Sequence, residues 1–510
     1  MVRLAIYLLI LFCGNALEGQ AQVLLPIESP APEAGGHFGW SVAPLGDVNG
    51  DTVPDLLVGA PGESVDGIIG AGRAYVVSGS DLQPIHSFAS PLPVEDGRFG
   101  WDVSLAFDLT KDGIPEVAVG APGEHVGSTL RAGFVHVFSG QSGELLLSID
   151  PFKEYQDGAF GTALAPAGDR NQDGVPDLVV GSPGPTTEEP EPGGGAFVHS
   201  GIDGRTLAGE LFSGLPVRFG TSIASTDLNE DKQSDYCGGA PGSFIPFVRC
   251  FLSGSPQRTL AFNPPQGAQE FGRSLVTLED RDDDGTSDLF IGSRGEAFLY
   301  SGESTEMLTR IAPPDGSSSD FGRSLNDAGD VNGDGQLALF VGAPLADVDG
   351  SAGAGTAAVF ESIAGSRLFQ FRSPNPTLSG WFGWDVTRAG DVDADGREDL
   401  LVGAPGEIGE AGRAYLVLTG ATVSTTPEPA ARMELTAAPN PAVYSLRLDV
   451  SAEGIAQLVI YDSLGRRVWR AESLAGASHH LHVSTWEAGV YLAVLQSGDS
   501  TITTPFIIAR

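Results

Sequence analysis

The segment Phe38–Pro61, FGWSVAPLGDVNGDTVPDLLVGAP, decides the fold, because the chain writes it with variations seven times. It opens on Phe-Gly, runs through a short apolar stretch into an aspartate-rich turn, and ends in an apolar run closed by Gly-Ala-Pro. Phe-Gly recurs at Phe38, Phe99, Phe160, Phe219, Phe271, Phe321 and Phe382, at spacings of 61, 61, 59, 52, 50 and 61 residues. Each copy adds a third run such as RAYVVSG (Arg73–Gly79) and, before the next Phe-Gly, a fourth such as LLLSID (Leu145–Asp150). Four short strands per unit, bounded by Gly, Pro and Asp, predict an all-β chain. A unit of this period cannot bury both of its faces alone, so seven of them predict a closed seven-bladed β-propeller. VLLPIES (Val23–Ser29) precedes the first Phe-Gly, and the seventh repeat stops at YLVLTG (Tyr415–Gly420). The N-terminal strand is therefore expected to complete the seventh blade and join the ends of the ring.

The turn inside each repeat follows D-x-[DN]-x-D-G-x-x-D. The first copy offers Asp47, Asn49, Asp51 and Asp55, and the third Asp169, Asn171, Asp173 and Asp177. The fourth has Asp227, Asn229, Asp231 and Asp235, the fifth Asp280, Asp282, Asp284 and Asp288, and the seventh Asp391, Asp393, Asp395 and Asp399. Calcium takes six to eight hard oxygen ligands at about 2.3–2.6 Å. Side chains at positions 1, 3 and 5 of a tight loop converge on one point, position 9 closes the site, and glycine at position 6 allows the sharp turn. Two loops depart from the pattern. The second has Asp108, Thr110, Asp112 and Glu116, and the sixth has Asp330, Asn332 and Asp334 but Ala338 at position 9. Weak or absent binding is expected at both. Thr52 and Lys232 replace the position-6 glycine in the first and fourth loops, which adds backbone strain. The alternative is that these residues only cap turns. Repetition in register favours calcium, about five to seven ions in a structural role that stabilises the folded state by mass action.

The repeat resembles the FG-GAP repeat of the integrin α-subunit propeller. The resemblance is carried by the Phe-Gly pairs and by Gly-Ala-Pro at Gly59, Gly120, Gly239, Gly342 and Gly403, with departures at Gly181-Ser182-Pro183 and Gly292-Ser293-Arg294. It covers about Val23 to Gly420 and implies the propeller fold and calcium binding. It does not imply an integrin partner, since the chain has no Arg-Gly-Asp and no apolar stretch of membrane-spanning length.

The residue after each Phe-Gly is Trp40, Trp101 and Trp384 in repeats one, two and seven, Thr162 and Thr221 in three and four, and Arg273 and Arg323 in five and six. Equivalent positions in a ring face equivalent surroundings, so a tryptophan arc opposite an arginine pair is expected near the central pore. Trp offers flat stacking area and Arg grips carboxylates, as a ligand platform would. The alternative is packing of large side chains between blades.

The net charge of −38 argues against nucleic acid and anionic membranes, where Lys and Arg must supply the attraction. Arg3 followed by the apolar run Leu4–Cys13 and Gly19-Gln20-Ala21 reads as a signal peptide over residues 1–21. Cys13 offers a lipidated alternative that Phe12 disfavours. Cys237 and Cys250 flank a predicted hairpin and are expected to form a disulfide in an exported chain, free buried thiols being the alternative. The propeller is assigned to 22–420 and a linker to 421–431. Alternating strands over 432–510 suggest a small immunoglobulin-like β-sandwich. That module resembles the C-terminal sorting domain of type IX secretion through Pro439-Asn440-Pro441, Tyr461-Asp462, Gly465-Arg466, Gly489-Val490-Tyr491-Leu492 and the end Ile507–Arg510. The resemblance implies passage across a Gram-negative outer membrane by the type IX machinery, then release or anchoring at the surface. The chain reads as an adhesion or ligand-binding module for an extracellular protein or glycan, and not as an enzyme, since no nucleophile elbow or zinc-protease motif is present. A polysaccharide hydrolase or lyase in the propeller mouth, and a surface-layer or matrix component, are the other readings.

Overall fold

The computed structural model describes residues 23–184, 192–213, 217–254, 258–313, 319–420, 434–438, 445–451, 455–462, 466–474, 478–486, 488–497 and 500–508. The signal peptide, the linker, Pro439-Asn440-Pro441, Gly465 and the last two residues lie outside the described residues. The chain divides into two compact units, Met1–Ala421 and Thr422–Arg510.

The first unit holds seven four-stranded antiparallel sheets, each named here A to D from the ring centre outward. Blade 1 is Val42–Gly46, Asp55–Ala60, Arg73–Val77 and Pro84–Ala89, and blade 2 is Val103–Leu105, Val117–Ala121, Phe134–Phe138 and Leu145–Ile149. Blade 3 is Ala163–Gly168, Asp177–Ser182, Pro192–His199 and Thr206–Ser213, and blade 4 is Ile223–Thr226, Asp235–Ala240, Phe247–Phe251 and Thr259–Phe262. Blade 5 is Leu275–Leu278, Asp288–Ser293, Glu296–Tyr300 and Met307–Ile311, and blade 6 is Leu325–Gly329, Ala338–Ala343, Thr356–Glu361 and Arg367–Arg372. Blade 7 takes strands A to C from Val386–Gly390, Asp399–Ala404 and Arg413–Leu418, and its outer strand is Val23–Glu28. That strand runs antiparallel to Arg413–Leu418, with Val23 opposite Leu418 and Glu28 opposite Arg413, so the expected closure is present. Neighbouring A strands touch around the whole ring, blade 7 back to blade 1 included.

Strand B explains why its sequence is a continuous apolar run. Adjacent blades cover both of its faces, and in blades 1 and 7 all six residues of DLLVGA are buried. Strand D lies outermost and alternates, as in the exposed-to-buried run Leu145–Ile149. The paired motifs do the joining. The Gly39 amide donates to the Gly59 carbonyl of its own blade at 3.0 Å. A Cβ on Gly59 would sit 2.1 Å from the Gly100 carbonyl oxygen of the next blade, and one on Gly403 would sit 2.0 Å from the Gly39 carbonyl oxygen. Equivalent glycine pairs occupy the other five interfaces, so the backbones meet where no side chain fits. The seven phenylalanines beside them are at most 2% exposed.

Cys237 and Cys250 lie opposite each other on strands B and C of blade 4, fully buried and disulfide-linked, with Cα atoms 3.9 Å apart. In the second unit, Glu434–Ala438, Ser445–Ser451 and Ser478–His482 form one sheet. Arg467–Leu474, Ile455–Asp462, Gly489–Ser497 and Ser500–Ile508 form another. Leu446, Leu448 and Val483 on the first side share a core with Leu458, Ile460, Tyr491, Ala493 and Ile508 on the second. No helix among the described residues is long and apolar enough to cross a membrane.

Candidate metal loops and the propeller mouth

In an antiparallel meander the A–B and C–D turns gather at one end of each blade and the B–C and D–A turns at the other. The aspartate loops are the A–B turns, so all seven lie on one face. Their hydrogen bonds repeat. In every loop the position-1 carboxylate accepts the amides of positions 5 and 6, as Asp47 does from Asp51 and Thr52 and Asp391 does from Asp395 and Gly396. The position-5 carboxylate accepts the amide of position 7, as Asp51 does from Val53. Position 6 is left-handed throughout, with φ of 74° at Thr52 and 67° at Lys232. The aspartates thus cap their turns; in loop 1 Asp47 Oδ1 accepts two amides, from Gly50 and Asp51, while Oδ2 accepts one, from Thr52.

Position 9 starts strand B and is withdrawn from water. Asp55, Glu116, Asp235, Asp288 and Asp399 are 0% exposed. One oxygen of Asp55 accepts the Val48 amide at 2.9 Å and the other the Gly79 amide at 3.1 Å. Asp399 does the same with Val392 and Thr419. This acid therefore ties its loop to the end of strand C. Burial, with the loop carboxylates adding to it, raises all six position-9 acids above the usual carboxylate range, Asp288 to about 6 and Asp399 to about 7.

Three carboxylates converge within 4.8 Å in loops 2, 5 and 7: Asp108, Asp112 and Glu116; Asp280, Asp282 and Asp288; Asp391, Asp393 and Asp399. Loop 2 is more complete than its sequence suggests. The longer Glu116 reaches the cluster, and Thr110 donates to it at 2.9 Å. Loops 1, 3 and 4 bring Asn49, Asn171 and Asn229 to position 3, each side-chain oxygen accepting the position-5 amide. Loop 6 has the buried methyl of Ala338 at position 9, and Asn332 turns its amide onto Asp334 at 2.8 Å. An all-oxygen donor set with converged carboxylates fits calcium in loops 2, 5 and 7, and loops 1, 3 and 4 offer the same type of donors without that convergence among the described residues.

The opposite face carries the Phe-Gly turns. There Trp40 lies 4.8 Å from Trp101 and 4.5 Å from Trp384, centroid to centroid, and all three rings are half-buried. They pack on one another across blades and keep an open side. The arginines do not stand opposite this arc. Blade 6 adjoins blade 7, and the Arg323 guanidinium lies 3.4 Å from the Trp384 centroid, extending the arc. Burial and the neighbouring Arg273 lower Arg323 to about 10, so it stays charged at neutral pH. Arg273 is held by both oxygens of Asp320 at 2.5 and 3.1 Å.

A second ring escaped the sequence reading. The residues just before each Phe-Gly are His37, Arg98, Ala159, Arg218, Glu270, Asp320 and Trp381, and all seven are left-handed, with φ between 52° and 58°. A turn around Phe-Gly sets this conformation, as in Trp40 N–H donating to the His37 carbonyl at 3.1 Å and Trp384 N–H to that of Trp381 at 3.0 Å. Side chains at both ends of the turn edge the mouth: His37 lies 5.7 Å from Trp40, and Trp381 lies 5.2 Å from Trp384. Beneath the arc, Asp102 accepts the Leu164 amide at 2.7 Å and the Ser41 hydroxyl at 3.1 Å, and Asp385 accepts the Val42 amide and Ser324 in the same way. Each acid bridges three blades.

Blades 1, 2 and 7 also bury a glutamate after Gly-Ala-Pro-Gly. Glu63 accepts the Tyr75 and Ser29 hydroxyls, and Glu407 the Tyr415 hydroxyl at 2.6 Å. In blade 2 histidine replaces tyrosine: His136 Nε2 lies 3.0 Å from Glu124 and its Nδ1 2.9 Å from Ser148. The nucleophile–base–acid order is that of a hydrolase, but Ser87, Tyr75 and Glu63 fill the same positions in blade 1. The arrangement is thus a variant of a bond that pins the B–C turn.

The FG-GAP repeat family matches residues 38–77, 99–138 and 382–417, which are blades 1, 2 and 7, the three that carry the tryptophans. The secretion system C-terminal sorting domain matches residues 436–509. Phosphatidylinositol-glycan-specific phospholipase D of Bos taurus is 36% identical over 183 residues, 32% of this chain and 21% of that protein. Integrin alpha-5 of Xenopus laevis is 34% identical over 154 residues, 29% and 14% of the two chains. Integrin alpha-6 of Homo sapiens is 28% identical over 242 residues, 42% and 20%. The chain thus spans about a fifth or less of the length of these curated relatives. They include both integrin alpha chains and a phospholipase.

Proposed function

From a chain that carries integrin-like FG-GAP repeats and a secretion sorting domain, we propose a calcium-stabilised propeller displayed outside a Gram-negative cell, which binds an extracellular protein or glycan at its mouth. The sorting domain implies secretion or surface attachment, and in this reading residues 432–510 address the chain to the type IX machinery while 22–420 do the binding. Loops 1 to 5 and 7 would hold the ions through positions 1, 3, 5 and 9. Bound calcium supplies the positive charge that the crowded carboxylates lack, and position 9 passes that order to strand B. The mouth carries the functional side of the reading. Seven non-glycine side chains, from His37 to Trp381, edge it just before each Phe-Gly. The half-buried tryptophans beside them offer rigid aromatic contact area.

The test is binding of the full chain, in calcium, to panels of glycans and matrix proteins. Trp40→Ala and Trp101→Ala should each weaken binding about tenfold or more with melting unchanged. Undiminished binding by both variants would remove the mouth from the function. The phospholipase relative favours a second reading, an enzyme acting on polysaccharide in the same mouth. Progressive shortening of a glycan during incubation would favour it over adhesion.

A further inference from the structure

Each blade carries Ser or Thr within two residues of the end of strand C, at the turn beside its aspartate loop, from Ser78 in blade 1 to Thr419 in blade 7. In three blades a hydroxyl of this C–D turn crosses to the loop. Ser253 donates to one oxygen of Asp231 at 2.7 Å, and Ser301 to one oxygen of Asp284 at 2.8 Å. In blade 1 the same bond comes from two residues further on: Ser80 donates to Asp51 at 2.7 Å, with the Ser78 hydroxyl 3.0 Å behind it. Asp51, Asp231 and Asp284 all stand at position 5, and the other oxygen of each accepts the position-7 amide at 2.8–2.9 Å. A carboxylate held at both oxygens is fixed in orientation. In the other blades the hydroxyl goes elsewhere. Ser139 and Ser200 accept amides of their own turns at 3.1 and 3.2 Å, and Ser362 and Thr419 donate to the Leu337 and Glu398 carbonyls. Loops 1 and 4 have most need of the hold, since Thr52 and Lys232 replace the position-6 glycine and Asn replaces Asp at position 3. In loop 2, by contrast, Asp112 accepts the Ile114 amide and already converges with Asp108 and Glu116.

Resting on the calcium reading of these loops, we infer that Ser80, Ser253 and Ser301 are positioning residues for calcium in loops 1, 4 and 5, each setting the position-5 carboxylate of the A–B loop from the facing C–D turn. A hydrogen bond from a neutral hydroxyl leaves the carboxylate its charge and a lone pair for the ion. It also fixes the side chain in advance, so less rotamer freedom is lost when the ion binds. Position 9 of the same loops grips the same turn through the backbone: Asp235 accepts the Ser253 amide, and Asp288 accepts the Gly302 amide at 3.1 Å. Two carboxylates of one loop are thus referred to one turn, and an ion shared between them ties strand D as well as strand B to the loop. The loops thereby fall into two classes, with 1, 4 and 5 braced by serine and 2, 3 and 7 relying on their own residues.

The experiment is titration of the calcium-stripped full chain with calcium chloride against a competing chelator, with melting in chelator measured alongside. Ser80→Ala, Ser253→Ala and Ser301→Ala combined should weaken part of the bound calcium about tenfold or more, while melting in chelator changes little. Should that triple variant not fold, Ser80→Ala alone, at a half-buried side chain, gives the same readout at one site. Ser139→Ala, Ser200→Ala and Ser362→Ala combined remove hydroxyls that do not reach position 5, and should leave calcium affinity as it was. Ser253→Thr and Ser301→Thr should retain affinity, since blade 7 carries Thr419 at the end of its strand C. Lower melting in chelator with calcium affinity unchanged would make the serines a latch between turns, and would overturn the inference while leaving the calcium reading in place. Equal weakening by both triple variants would also overturn it. Absence of calcium binding by the parent chain would sink both.

Discussion

At His136 one side chain does what two tyrosines do elsewhere. Tyr75 and Tyr415 reach the buried glutamates of blades 1 and 7, and His136 reaches Glu124, which is 2% exposed. Truncation leaves that carboxylate without its donor, so His136→Ala should cost about 2–3 kcal/mol in denaturant unfolding. His136→Tyr should stay within about 1 kcal/mol of the parent, because the repeat already accepts tyrosine there. Equal losses in both would separate blade 2 from its neighbours. The acids under the mouth set a pH dependence. Withdrawal from water, and then the negative charge of Asp385, raises Asp102 to about 7 from an ordinary 3.8, and burial raises Asp385 as well. The folded chain therefore holds these protons more tightly than the unfolded one. Their contribution is complete below about pH 4 and is lost as pH rises through about 7. In chelator, melting temperature should rise as pH falls from about 8 to about 6, and Asp102→Asn should reduce that slope, Asp399, also raised to about 7, supplying part of the rest.

The A–B loop shows how a repeated element tolerates local faults. Position 6 is glycine in five loops, with φ between 82° and 98°, but Thr52 adopts 74° and Lys232 67°. A β-branched residue is strained there, so Thr52→Gly should stabilise the protein by about 0.5–1 kcal/mol after the added freedom of the unfolded chain is subtracted. Melting curves at fixed calcium would measure it. These loops were legible in the sequence because the residues of each turn lie within nine positions. The strands were legible because burial on one or two faces writes itself as alternation or as an unbroken apolar run. Ring closure was legible from a surplus strand at one end and a missing one at the other. The second mouth ring was not, since His37, Arg98, Ala159, Arg218, Glu270, Asp320 and Trp381 share a backbone conformation and no side-chain chemistry. Nor was the contact of Arg323 with Trp384 read, although blades 6 and 7 follow one another in the chain, because it depends on how the two side chains lean. Position 9 was expected as a metal ligand; the role the structure shows for it, holding the end of strand C, depends on a contact 24 residues away in blade 1.

At the scale of the whole propeller, stability depends on one late pairing, and the calcium reading adds a second dependence, on ions. Removing residues 23–28 leaves Arg413–Leu418 as an open sheet edge, so the shortened chain should melt at lower temperature and self-associate, as light scattering would show. The complete chain should melt higher in calcium than in chelator, and unchanged melting would reduce the loops to turn caps. Glu28 and Arg413 meet across 385 positions of sequence. The strand from Val23 to Glu28 is thus synthesised before all seven blades' inner strands and must wait for blade 7 before it has a neighbour. A chain ended early by any accident of translation leaves that strand unmatched and cannot become a ring. Folding itself thereby inspects each molecule for completeness, with Arg413–Leu418, the strand that precedes the sorting module, as the last thing checked.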